Sequence, residues 1–247
     1  TEHELAVRLS YFLWSSMPDA ELFKLAEQRQ LFRKGVLEQQ VARMLDDERS
    51  WQFVRHFTSQ WLDLSGLNRI AINPQYYKDF NERLKSQMAE ETIRFVGEVL
   101  YHDLSALNFL KSDFVVVNRS LAQHYNLPEP ELNQFARIAL TGDENRGGLI
   151  TQGSFLLINS NGEDSHPIKR AVWILDRLLD DPPAPPPPDV PELESEKIDF
   201  AALSIKRQLE LHREKSSCNS CHKNIDGWGI PMEHFDAIGQ WRDIGVR

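Results

Sequence analysis

Cysteine is nearly absent from this sequence: 247 residues hold only Cys218 and Cys221. Two cysteines so close together cannot cross-link distant parts of a fold, so a disulfide framework is excluded and whatever they hold is local. No apolar run approaches the ~20 residues that a membrane-spanning helix needs. Basic residues are outnumbered 28 to 37, for a net charge of −9. Little is left to neutralise phosphates, which argues against a nucleic-acid partner, whereas a basic protein partner would suit the charge. A Gly-rich phosphate loop, a nucleophile elbow and a metalloprotease motif are all missing. Neighbouring carboxylates occur at Asp46-Asp47, Glu90-Glu91 and Asp180-Asp181. Adjacent positions on a helix point in different directions, so these are read as solvated charges rather than acid/base couples. The chain opens at Thr1 with neither Met nor a leader-like stretch, and it is expected to be a piece excised or processed from something longer.

What is present is mostly helical in period. Leu5, Leu9, Phe12 and Leu13 recur at helical spacing, and Ser16 to Asp19 reads as a stop and restart, with Ser16 as cap and Pro18 in a first turn. Further helices are expected over 36–45, 51–64 and 76–101, the last presenting Glu90, Glu91 and Arg94 on a solvated face. Phe114 to Val117 is β-branched and extended, with Asn118 capping a short helix to about Tyr125. His166-Pro167 opens a helix running to Leu179, and Phe200 to about Glu214 forms a last one. Between these two, Pro182 to Pro188 reads as a polyproline II strap laid across the surface. The fold class is mainly α.

Cys218-Asn219-Ser220-Cys221-His222 matches C-x-x-C-H. Thiols one helical turn apart can add to both vinyl groups of a haem, and the adjacent imidazole is then placed under the iron. Pro231 follows His222 at a distance from which its carbonyl could accept the proximal ring N–H. Three rivals stay open on the residues alone. Zinc could use the two cysteines with His234 and His212, although Ile238 to Gln240 stand where a second finger histidine belongs. A redox dithiol needs a βαβ setting, which a helical, Pro-rich chain does not offer. Two structural cysteines are the third.

A resemblance bears on this choice. Arg146-Gly147-Gly148-Leu149, Ser165 through Arg170 and the Pro run are similar to the planctomycete-type cytochrome c domain. So is the tail from Leu211 through the cysteine motif to Ile225-Asp226, Phe235 to Gly239 and Trp241-Arg242. Leu9 to Trp14, Pro18-Asp19, Gln60-Trp61-Leu62 and Leu121 to Tyr125 resemble the uncharacterised domain that precedes it. Gly227 departs from the family, which usually has Pro after the Asp. The resemblance implies one covalent haem c per chain, on Cys218 and Cys221 with His222 as proximal ligand. It also implies an exported, periplasmic or extracellular, multidomain parent with flanking domains on both sides.

Together these readings give a helical domain over 1–140 packed against a cytochrome c-like haem domain over 141–247 that carries the strap. The expected function is mono-haem electron transfer to a partner with a basic docking face. A haem enzyme of peroxidase or oxidase type, with an open sixth iron site, is the alternative, and an interaction module stapled by haem is a third reading. His166 is the preferred sixth ligand, with His124 second. Met232 and His234 sit too close after His222, and His212 too close before it, to cross the haem. Arg170, Arg242 and Lys169 are the propionate candidates. Trp173, Trp228 and Trp241 are available to pack on the ring.

Overall fold

The computed structural model describes residues 1–185, 203, 205–214 and 216–242. Among them the chain is mainly helical, and no helix is long and apolar enough to cross a membrane. Four helices open the chain: α1 (Glu2–Trp14), α2 (Ala20–Glu27), α3 (Val36–Asp46) and α4 (Trp51–Trp61). The Thr1 hydroxyl and the Glu4 side chain form a capping box at the start of α1. At the break the cap is Asp19, not Ser16: its carboxylate accepts from Leu22 N–H at 3.0 Å and also from Arg43 at 2.7 Å. Pro18 therefore lies outside the helix. Ala6, Leu13, Trp14, Leu22, Leu31 and Met44 close a first apolar cluster, and the Trp14 indole N–H donates to Met44 O at 2.9 Å.

Helix α5 (Glu82–Tyr101) is the central rod. It starts six residues after Tyr76, where Asn81 supplies the cap. β1 (Phe114–Val117) pairs antiparallel with β2 (Ala136–Ala139), Phe114 opposite Ala139. The second strand has little periodic signal over its four residues. α6 (Arg119–Tyr125) begins on the Asn118 cap as expected. Then come α7 (Gly153–Ile158), α8 (Pro167–Arg177), α9 (Ile205–His212) and α10 (Ser216–Gly229), with a 3₁₀ turn over Ile230–His234. Of the polyproline strap, Pro182 to Pro185 carry no regular secondary structure and Pro186 to Pro188 lie outside the described residues.

One core joins the two halves of the sequence. Val54, Phe95, Val96, Val99 and Phe114 pack with Phe155, Leu156, Trp173, Ile174 and Phe235. Polar ties follow the same route: the Trp61 indole donates to Arg177 O at 2.8 Å, and Thr92 donates to Gln152 at 2.7 Å. The expected division at 140/141 thus runs through shared packing.

Glu91 corrects the expectation of a solvated face. It is 1 % exposed and accepts from the Tyr125 hydroxyl at 2.7 Å. That hydroxyl in turn accepts from Gly153 N–H at 3.0 Å. Arg146 lies 3.7 Å over the Tyr125 ring and donates to Thr151 O and Gly239 O. The acidic face is real at Glu90, which pairs with Arg55 and Arg94. One position further round, the helix turns its carboxyl into the core.

Candidate functional site

Helix α10 carries Cys218, Cys221, His222 and Asp226. Offsets of three, four and eight residues put all four within about one side of a helix. This side turns toward α8: Ile225 packs with Ala171 and Leu175, and Gly229 lies against the Pro167 carbonyl. Cys218 is buried and Cys221 exposed, so the two thiols meet different surroundings.

His222 is held from the ring nitrogen nearer the main chain. Nδ1 lies 2.8 Å from Asp226 Oδ1, on a side chain that is 2 % exposed. Asp226 Oδ2 faces Arg213 Nε of the α9–α10 connection across 3.4 Å. The acceptor expected at Pro231 is thereby replaced: Asp226, one turn along the same helix, takes the ring N–H. The sequence offered a signal for this, a carboxylate at i+4 from the motif histidine. With Nδ1 committed, metal coordination by His222 would run through Nε2, the arrangement in which a second-shell carboxylate fixes tautomer and ring orientation. Two thiols a turn apart beside an imidazole so oriented are the donor set that a c-type haem requires. Among the described residues, no three His, Cys, Asp or Glu side chains converge on a bare metal ion.

The other expected site residues lie elsewhere in the fold. His166 caps α8, its Nδ1 accepting from Lys169 N–H at 3.3 Å. It sits level with Gly229, roughly 10 Å along α10 from His222 at 1.5 Å per residue. Burial pushes its pKa down, with Lys169 adding to the effect. Arg170 is wholly buried and donates to the carbonyls of Met232, Phe235 and Asp236 at 2.6–2.8 Å. Arg242 bonds Asp164 at 2.7 Å and Ser165 at 2.8 Å. Both arginines thus lash the segment after α10 to the body of the protein. Lys169 Nζ reaches Ser160 O at 3.4 Å. Met232 is partly buried against the shared core. Trp173 is core, packed on Phe155, while Trp228 and Trp241 are partly exposed. His234 stacks flat on Trp241, with ring centroids 4.7 Å apart. The His212 side chain is outside the described residues.

His124 is a half-buried structural histidine, with Nε2 at 2.8 Å from Ile238 O. Burial lowers its pKa to about 4, whereas burial raises Glu91 to about 7, against the Tyr125 hydrogen bond. The signs of their effects on stability oppose each other. A histidine whose pKa is lowered in the fold loses stability as pH falls through 6.5 toward 4, because the unfolded chain takes up the proton first. A carboxyl with a raised pKa has its full stabilising effect below 4.5 and loses it as pH rises toward 7. Glu91→Gln removes only the second slope. Its unfolding free energy, from urea titrations between pH 4.5 and 7, should rise with pH by up to ~1.4 kcal/mol per unit relative to wild type. Parallel curves would show that Glu91 ionises normally.

A family model described as PSD4, a protein of unknown function (DUF1592), matches residues 1–127. A second, described as PSCyt3, a protein of unknown function (DUF1588), matches residues 146–244. Both are domains associated with planctomycete cytochromes c. No curated protein and no solved structure matches the chain.

Proposed function

From a chain that belongs to the PSD4 family of unknown function (DUF1592), we propose a mono-haem c-type cytochrome: an electron-transfer module of a larger exported protein. The observation that carries this reading is the grouping on α10: Cys218, Cys221 and His222 share one side of the helix, with His222 Nδ1 anchored 2.8 Å from Asp226. Cys218 and Cys221 would hold the porphyrin through thioethers, and His222 would ligate the iron through Nε2. A haem bound there supplies one-electron ferric–ferrous exchange. The protein's own part is to fix the ring through Asp226 and to brace α10 on α8 through Ile225 and Gly229. The net charge of −9 suits a redox partner with a basic docking face. Location in the periplasm or outside the cell, and flanking domains in the parent protein, belong to the same proposal.

The test is expression with export and haem-ligation machinery. A red protein is expected whose Soret band stays with the chain in denaturant. Cys218→Ala with Cys221→Ala should reduce that retained band to background. Haem that survives denaturation in the double variant would overturn the proposal, as would a wild-type chain that carries zinc and no Soret band.

A further inference from the structure

Asp226 is placed to do more than orient a ring. Its side chain is 2 % exposed and lies 2.8 Å from His222 Nδ1. A carboxylate can accept from about four directions and normally spreads its charge over several donors. Here Oδ2 has no hydrogen-bond partner among the described residues. Arg213 Nε stands 3.4 Å from it, contributing charge without a hydrogen bond. The acceptor strength of the buried carboxylate is therefore concentrated on one N–H, that of the imidazole. A charge-assisted bond of this kind is roughly twice as strong as one to a neutral carbonyl, such as the prolyl acceptor expected from the sequence.

Resting on the haem reading above, we infer that Asp226 is a positioning residue that lowers the reduction potential of the iron, with Arg213 as its counterweight. By drawing the Nδ1 proton toward itself, Asp226 makes Nε2 a stronger donor, and a stronger axial donor favours the ferric over the ferrous form. Arg213 tempers that pull by placing a cation beside Oδ2. The module then belongs on the donating side of its electron exchange, passing electrons to a partner of higher potential. No bond is made or broken in this role; one electron leaves the iron and the proton stays within the His222–Asp226 pair.

Two variants move the potential in opposite directions. Asp226→Asn keeps the shape and an acceptor oxygen but removes the charge. At a fixed potential it should raise the ferrous-to-ferric ratio about tenfold, equivalent to ~59 mV for one electron. Arg213→Gln should lower that ratio. Redox titration of the haem-bearing proteins reads both shifts. Nitrogen-15 NMR of the His222 ring in the ferrous protein separates a hydrogen bond from bare electrostatics, because only the bond moves Nδ1 toward its deprotonated position in wild type and back in D226N. Equal potentials in wild type and D226N, or shifts of the same sign in the two variants, overturn this inference while leaving haem attachment intact. An unchanged Nδ1 resonance in D226N also overturns it. If D226N matures without haem, the absence of a downward shift in R213Q does so. A wild-type chain without covalent haem removes the cofactor proposal and this one together.

Discussion

Arg170→Met should lower the free energy of unfolding by ~3–5 kcal/mol, the usual cost of breaking a buried charged group away from its partners. From α8 the guanidinium reaches three carbonyls of the segment after α10, those of Met232, Phe235 and Asp236. Burial pushes its pKa down to about 10, against the attraction of Glu233, so the side chain is still charged at neutral pH. Glu233 Oε1 lies 3.9 Å away with no hydrogen bond of its own among the described residues, and burial raises the pKa of Glu233. Methionine fills much of the volume, so the loss reports three carbonyls stripped of a charged donor, and a Glu233 carboxylate left with Arg242 as its nearby cation, rather than a cavity. Adding Glu233→Gln should restore part of it. Urea unfolding followed by tryptophan fluorescence reads the change; a loss under ~1 kcal/mol would show that the carbonyls find water or other donors.

Gly229→Ala should cost ~1–3 kcal/mol, the range for an overpacked contact, even though alanine is the better helix former by about 1 kcal/mol. A Cβ at this position would stand 2.0 Å from the Pro167 carbonyl oxygen and 3.2 Å from Ala171 Cβ. The opposing atom belongs to the backbone of the first turn of α8, which cannot swing aside as a flexible side chain would. The two helices must separate, and the α10 face that carries His222 and Asp226 moves with them. Gly227→Ala is the control, since nothing lies within 4 Å of its Cβ; it should stabilise by ~0.5–1 kcal/mol. Thermal melts of the two variants should therefore shift in opposite directions. A neutral or stabilised G229A would mean that α8 and α10 sit further apart than described.

Much of the helical frame was legible because it rests on local chemistry. Asn118 and the His166-Pro167 pair marked helix starts that the structure keeps. At the break after α1 the expected cap, Ser16, gives way to Asp19, whose carboxylate also gathers Arg43. The second strand is not legible in the sequence because four residues of Ala-Arg-Ile-Ala hold little pattern without β1 beside them. Glu91 departs from expectation for a related reason: its partner Tyr125 is 34 positions away, beyond the reach of helical period. In the site, the motif is contiguous and was read directly. Spacing along the chain favours the Pro231 carbonyl as acceptor, whereas the helical face brings Asp226, one turn on, to His222 instead. Arg170 and Arg242 were candidates for an external carboxylate, whereas their main partners are carbonyls and side chains up to 78 positions away.

The core shared by Phe95, Phe114, Phe155, Trp173 and Phe235 has a bearing on heredity. Two family models meet on this chain between residues 127 and 146, yet the apolar faces on either side of that junction are buried by each other. Recombination that parted the two families would leave each descendant with half of an interior turned to water.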